Sequence, residues 1–539
     1  MFILYYFLIC FSLVGYGCIL SKFLRLNFYN FGFLGLIGIS FSITISYLSS
    51  IFFVHNYIFN LIFLSFGILF FLFFFKKNPK YKKNILNTFL IFLILLLFIF
   101  VGKNHDDFGY YHFPYSYLLT QMEHPVGLGL LNNGFRNHSS IFFLSSLFYL
   151  PKVSFYLLHL TPVYFLGFAN LILLDFIKSK KMFENLKFVN FYSLMIITFI
   201  NIFFYRLAEH GTDRSGMILI FLISLLGIII QNTNEKPKNK ELFYFISIIS
   251  VLIFSLKPFY IIYAPLVLII LFCNFNKDLI EIFKARSTIF CIFFFFLVIF
   301  YNIINSGCLI FPLAISCFDG LLWSLSIEKI KGVNVWYELW SKAGASPNYV
   351  VENKINYIKG FNWVPNWIDN YFFNKVSDFL LSIIFVIIVF WSIFIFRKEK
   401  IVKDKLIYRI IYFFFILCFL EWFFNHPTLR YGGYHLIPIL TFVPLSILFN
   451  YKNIDYSEFS KKSSTILLIT IVIFIGRNTN RLINEYNLYT YNPFESFKFI
   501  YDKKFYNRYL DVINKDISKY DYITILGKEI LIIKRIEEN

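Results

Sequence analysis

Two adjacent carboxylates and two histidines, in the run His105-Asp106-Asp107-Phe108-Gly109-Tyr110-Tyr111-His112, follow directly on the apolar stretch Ile85 to Val101. Ionisable groups at a membrane edge are costly, so a cluster of them at a helix mouth is a functional-site candidate by default. Asp107 or Asp106 can serve as a general base, because a low-dielectric edge raises a carboxylate pKa toward the working pH. Tyr111 and His112, a few residues on, are candidate substrate contacts. The bland alternative is that one aspartate merely caps a helix starting at Phe108.

Cationic groups recur in three further places. Arg136 follows the turn Asn132-Asn133-Gly134, Lys257 stands alone between two short apolar runs, and Arg430 opens another run beside Gly432 and Gly433. A fourth constellation, Arg206 to Arg214, packs Glu209, His210 and Asp213 between two arginines. Guanidinium suits bidentate phosphate recognition, and the glycines beside Arg430 would let a ligand approach the backbone. A solvated hairpin, a snorkelling lysine or an interfacial anchor would leave similar residues in these places. The chemistry the set suggests is sugar transfer from a polyprenyl-phosphate carrier. Asp107 or Asp106 takes the acceptor proton, and Arg430, Lys257 or Arg136 stabilises the charge developing on the leaving phosphate. Asp106-Asp107 could also hold a divalent cation, although the sequence shows no full ligand set and no metal site is assigned.

The elements that must position these residues are membrane helices. The chain is 58% hydrophobic, with a mean hydropathy of +0.66. Many of its apolar runs reach the roughly 17–25 residues that span a bilayer. About fourteen candidate spans follow, at 2–20, 31–53, 57–75, 85–102, 153–176, 188–205, 215–231, 242–256, 258–273, 288–304, 378–396, 406–424, 434–450 and 463–476. Lys and Arg cluster in alternate loops, from Lys22/Arg25 and Lys76–Lys83 through Lys178–Lys187, Lys236–Lys240, Lys277–Arg286 and Arg397–Lys405 to Lys452 with Lys461 and Lys462. All of these fall on one side, which the positive-inside rule makes cytoplasmic. The net charge of +19 is then inside bias and attraction to anionic lipid, with no nucleic-acid partner implied.

The expected organisation is a four-helix segment 1–102, an extracytoplasmic loop 103–152 with interfacial helices, and a central membrane segment 153–304. A large extracytoplasmic loop 305–377, a membrane segment 378–476 and an extracytoplasmic tail 477–539 complete it. In the first loop, Phe108 to Met122 reads as an amphipathic helix lying in the interface, and Ser139-Ser140 as the cap of a second short helix, Ile141 to Tyr149. The tail run Tyr522 to Ile533 reads as strand, Gly527-Lys528 turn and strand. Cys308 and Cys317 share the large loop; the reading favours free thiols packed among apolar groups over a disulfide. No CxxC, HExxH, Walker loop or GxGxxG occurs, so nucleotide-driven transport and a soluble nucleotide-sugar fold find no support.

The run Asp107-Phe108-Gly109-Tyr110-Tyr111-His112, then Gly127-Leu128-Gly129 and Ser139-Ser140 through Phe148, resembles a family of uncharacterised bacterial polytopic membrane proteins. That family carries an Asp-x-x-x-Tyr-His loop. Ser306-Gly307, Phe311-Pro312, Asp319, Trp323 and Arg430-Tyr431-Gly432 look like its later landmarks. The group is in turn similar to GT-C glycosyltransferases of the dolichyl-phosphate-mannose and aminoarabinose transferase type. The resemblance implies a catalytic aspartate in the first large extracytoplasmic loop, here Asp107 with Asp106 beside it. About four spans precede that loop here, whereas in typical GT-C enzymes one does.

The expectation is therefore an all-α integral membrane protein of about 12–14 transmembrane helices, GT-C-like, with a small C-terminal α/β segment, in a bacterial inner (cytoplasmic) membrane. Its expected function is transfer of a sugar from a polyprenyl-phosphate donor to a glycan or glycolipid acceptor of the cell surface, with membrane lipid as its other partner. The rivals are a transporter or flippase of lipid-linked oligosaccharide and an O-antigen polymerase or ligase. A transporter would put charge at mid-membrane; here charge gathers at helix ends.

Overall fold

The computed structural model describes residues 1–233, 235–345, 351–394, 408–450, 454–495, 498, 520–525 and 528–533. Eleven helices among them are long and apolar enough to cross a membrane: Phe2–Phe23, Phe31–Ser50, Tyr57–Lys77, Leu158–Ile177, Thr212–Asn232, Lys236–Leu256, Pro258–Lys284, Arg286–Ser306, Val364–Ile393, Leu429–Asn450 and Tyr456–Tyr489. This is one fewer than the smallest number expected. The expected spans 85–102, 188–205 and 406–424 fall on shorter helices, Asn84–Phe100, Lys187–Phe203 and Arg409–Asn425, at the lower limit of crossing length. The chain has the architecture of a multi-pass helical membrane protein.

Burial sorts these helices into inner and outer. The most apolar window of Leu158–Ile177 is 89% buried within the bundle, as is that of Thr212–Asn232, whereas Tyr57–Lys77 and Tyr456–Tyr489 bury only 22% and 28% of theirs. Apolar side chains left exposed on the outer helices are what a lipid-facing surface requires. The first two helices approach backbone to backbone because glycine lets them. A Cβ on Gly17 would lie 1.8 Å from the Leu34 carbonyl oxygen, and one on Gly38 the same distance from that of Leu13. Without a hydrophobic drive between helices in lipid, such close packing of small residues is a main source of association.

The polar turns separate into two ends. Lys181 meets Glu235 at 2.7 Å, Lys240 meets Glu281 at 2.6 Å, and the Tyr456 hydroxyl donates to the Lys178 carbonyl at 2.7 Å. These bonds join turns that the counting of Lys and Arg assigns to one side. The basic residues Arg397 to Lys405 and Lys452 lie outside the described residues. At the other end the loop 103–152, the turn 206–211, Lys257, the loop after Ser306 and the turn 426–428 converge.

The two expected helices of the first loop form as Phe113–Gln121 and Ser140–Ser146, the second capped by the Ser139 hydroxyl, which accepts from the Ile141 N–H. They do not lie on a surface. Every residue of Ser140–Ser146 is buried, as are seven of the nine in Phe113–Gln121. Ser139 donates to the Leu256 carbonyl at 2.6 Å and Ser140 bonds Ser255 at 2.8 Å. A hydroxyl-rich, otherwise apolar segment can be interior because each hydroxyl finds a partner there.

The tail hairpin forms as expected, Tyr520–Ile525 pairing antiparallel with Lys528–Ile533, and Thr524 opposite Glu529. Its expected turn residue Gly527 lies outside the described residues. The second strand also pairs with the first loop: the Val126 N–H donates to Leu531 and the Ile533 N–H to Val126, both at 2.9 Å. Lys528 meets Glu123 at 2.7 Å.

The large loop is folded. Ile327–Lys342 is helical, the Trp323 indole donates to the Ile303 carbonyl at 2.8 Å, and that of Trp367 to Pro427 at 3.0 Å. Cys308 and Cys317 form a disulfide, contrary to the expectation of free thiols. The turn between them returns so that the two residues face each other as a β-bridge, a juxtaposition that spacing alone does not reveal.

Candidate functional site

Four of the expected site residues, drawn from four separated segments, meet in one ion-pair chain. Arg430 Nη2 lies 2.6 Å from Asp107 Oδ2, Arg430 Nε lies 2.5 Å from Asp213 Oδ2, and Lys257 Nζ lies 2.5 Å from Asp213 Oδ1. Guanidinium can do this because its nitrogens form a rigid fork, so two of them serve two carboxylates at once.

Local backbone explains each placement. Asp107 and Arg430 sit at π-helical turns, Phe108–His112 and Leu429–Gly433. Such turns interrupt regular helix and re-aim side chains, and they concentrate at functional sites. Asp107 makes no capping bond, so the cap reading does not account for it. Lys257 precedes Pro258, and the clash that proline imposes on its predecessor holds Lys257 extended, at φ −158° and ψ 121°. Asp213 stands in the first turn of Thr212–Asn232, where a carboxylate meets the positive end of the helix dipole. Gly211, at φ +45°, makes the break before it, a conformation that a side chain disfavours.

The chain of charges is graded in exposure. The Asp213 side chain is 4% exposed, that of Asp107 24% and that of Arg430 33%. Asp213 is the buried anchor, and Asp107 and Arg430 are its more exposed partners. Two carboxylates balance two cations. Burial alone would raise the Asp107 pKa, but His105, whose Nδ1 is 3.3 Å from Oδ2, and the Arg430 guanidinium together hold it well below the usual carboxylate range. This reverses the expectation of a raised pKa, because the sequence shows the apolar setting and not the counter-ion 323 residues away. Burial pushes the His112 pKa down to about 4 against the pull of Asp107, so this imidazole is neutral at pH 7.

The remaining expected residues are placed differently. Asp106 is exposed and lies outside the network. Tyr111 packs across Gly134, where a Cβ would lie 2.4 Å from its ring, and its buried hydroxyl is raised in pKa, with the Asp107 charge adding to burial. His112 is buried beside Phe142 and Gly211. Arg136 donates through Nε to the Gly129 carbonyl at 3.1 Å and braces the loop. Glu209, 1% exposed, belongs to a second cluster with Arg206 at 2.5 Å and Arg481 at 2.6 Å. Gly432 and Gly433 do not open the backbone to a ligand: their hydrogens face the Trp422 ring, 2.4 Å from where a Gly432 Cβ would stand.

Sequence reasoning missed the roof of the site. Tyr337, on Ile327–Lys342, accepts from the Asn137 amide at 2.7 Å, and its charged neighbours are Arg430, Asp107 and Arg136. The Trp340 ring lies 5.8 Å from that of Tyr431, over which Lys257 sits at 4.8 Å. The aromatic run Trp336-Tyr337…Trp340 was the available signal. Among the described residues no group of three or more His, Cys, Asp or Glu side chains could hold a metal ion; between Asp107 and Asp213 stands the Arg430 guanidinium. A partly exposed carboxylate under an aromatic roof can accept a proton from a hydroxyl, and the two cations beside it can bind an anion.

Residues 1–437 match the family described as domain of unknown function (DUF8201), and the chain belongs to that family. No curated protein and no solved structure matches the chain.

Proposed function

We propose that this protein is an integral membrane glycosyltransferase of GT-C character, moving a sugar from a polyprenyl-phosphate carrier to a glycan or glycolipid acceptor on the extracytoplasmic face. The observation that carries the reading is Arg430 bridging Asp107 and Asp213 at 2.6 and 2.5 Å, with Lys257 behind it. The donor phosphate competes with Asp107 for Arg430, while Lys257 stays on Asp213. Once the guanidinium turns to the phosphate, one of the two groups that offset burial is withdrawn and Asp107 becomes a stronger base. Asp107 then takes the proton of the acceptor hydroxyl as the acceptor oxygen bonds to the anomeric carbon. The bond from that carbon to the phosphate oxygen breaks, its electron pair leaves with the phosphate, and Arg430 and Lys257 stabilise the charge. Asp213 orients both cations throughout.

The test is transfer of radiolabelled sugar in membranes supplied with a mixed polyprenyl-phosphate-sugar pool, comparing wild type with Asp107→Asn. Transfer by the wild type and its fall by at least about 100-fold in a variant that still inserts is expected, the usual scale for losing a general base. Unchanged transfer in the variant would remove Asp107 as base. No transfer by either protein, with lipid-linked glycan crossing the membrane equally well in both, would replace the enzyme with a transporter.

A further inference from the structure

A second polar site lies at the same end of the bundle. A cavity of about 390 Å³ is walled by Lys103, Tyr205, Arg206, Arg477, Arg481 and Tyr489. It is the meeting place of the start of the first loop, the end of Lys187–Phe203 and the last turns of Tyr456–Tyr489. We propose that it binds the phosphate-bearing headgroup of a membrane lipid, which, on the transferase reading above, is the acceptor.

Charge is the first argument. Four cations, Lys103, Arg206, Arg477 and Arg481, stand around the cavity against two carboxylates, Glu209 and Glu485, leaving an excess of two positive charges. The site is also built. Arg481, whose side chain is 8% exposed, is held by Glu485 through Nε and by Glu209 through Nη2, both at 2.6 Å. Its Nη1 has no hydrogen-bond partner among the described residues. A buried donor without a partner is costly, and a turn of the Arg481 side chain toward an anion in the cavity would relieve that cost. Arg477 stacks on the Tyr205 ring at 3.8 Å and Lys103 lies 5.5 Å over that of Tyr489, so the aromatic walls also present the cations.

Apolar surface at the cavity itself points to a lipid over a soluble anion. Leu488, in the cavity wall, is 71% exposed, and Tyr489 beside it 36%. A lipid chain resting on them brings its headgroup to the cations. The location suits a second substrate. Glu209, which holds Arg206 and Arg481, also lines a small space with Phe108 and His112, and Asp213 follows it by four residues, across the break at Gly211. The two anion sites thus flank a single turn of chain.

The test uses the full-length protein in nanodiscs of phosphatidylcholine, with bound lipid read by native mass spectrometry. The probes are polyprenyl diphosphate, the corresponding polyprenol without phosphate, and phosphatidylglycerol. Polyprenyl diphosphate is expected to be retained and the polyprenol lost, with retention falling roughly tenfold for each cation removed in Lys103→Gln/Arg477→Gln. These two side chains are more exposed than Arg481, and an unchanged thermal midpoint shows that the variant is folded. Retention of phosphatidylglycerol with the same sensitivity would support the site but give it to bilayer phospholipid, overturning the acceptor role. Equal retention of diphosphate and alcohol, or no effect of the double variant, would overturn the site. Retention is read without turnover, so failure of the transferase reading would leave this outcome standing.

Discussion

Replacing Arg430 with lysine keeps the positive charge and removes the fork. In the resting site Nε and Nη2 each serve a different carboxylate, at 2.5 and 2.6 Å. One ammonium nitrogen cannot hold both positions. Asp213 keeps Lys257 at 2.5 Å, so Asp107 is the carboxylate left short. The loss is about one hydrogen bond to a charged group, roughly 1.5–3 kcal/mol. If the fork spans Asp213 and the donor phosphate in the transition state, kcat/KM falls about 10- to 100-fold. The assay is initial transfer rate at sub-saturating polyprenyl-phosphate sugar for wild type, Arg430→Lys, Asp107→Asn and the double variant, with the thermal midpoint of each purified protein recorded alongside. Because the two side chains act as a pair, the double variant is expected to lose less than the two single losses combined, with a coupling of about 1–3 kcal/mol. Strictly additive losses, or an Arg430→Lys enzyme within twofold of wild type, would refute the assignment of these contacts to catalysis.

Two further outcomes follow from burial. Asp213→Asn leaves Lys257 and Arg430 at a buried site with one carboxylate fewer and is expected to cost about 3–5 kcal/mol, read as a lowered thermal midpoint. Adding Lys257→Met should recover much of it, and a double variant no more stable than the single would contradict the charge-balance account. Acid should also destabilise the fold through His112. Its pKa is lowered to about 4, so its stabilising contribution is complete above the ordinary value near 6.5 and is lost as pH falls from there toward 4, amounting to about 2 kcal/mol by pH 5. Asp107, held low, contributes only to acid loss below the carboxylate range and is silent in this window. The drop in thermal midpoint between pH 7.5 and 5 should shrink in His112→Phe; an undiminished drop would place the effect on other histidines.

The helices were legible because transfer into lipid is nearly additive along the chain: each of the runs from 2–20 to 463–476 falls on a helix, and only the crossing lengths of three came out short. The tail hairpin was legible from a glycine between apolar stretches, although Lys528, read as a turn residue, begins the second strand opposite Ile525. The sidedness of Asp107, Asp213, Lys257 and Arg430 followed from counting loops, and their meeting is consistent with it. Their pairing was not legible, since Arg430 lies 217 residues from one partner and 323 from the other. For the same reason the direction of the Asp107 pKa was misjudged. The first-loop helices were read as interfacial from their polarity, but their serines and tyrosines find partners inside the fold, as Tyr115 does with His124 at 2.7 Å. Arg481 escaped notice because nothing in its own neighbourhood marks it; its importance lies in Glu209, 272 residues earlier.

The strand Lys528–Ile533 lies against Val126, and Lys528 reaches Glu123 across 405 residues. A ribosome adding about 5–20 residues each second makes Val126 roughly 20–80 s before the strand that completes its hydrogen bonds. For that interval the first loop is inserted, its neighbours are assembling, and one edge of it is still open. The first loop is thus made early and is among the last parts to be completed, so an inserting membrane holds it unfinished through most of synthesis.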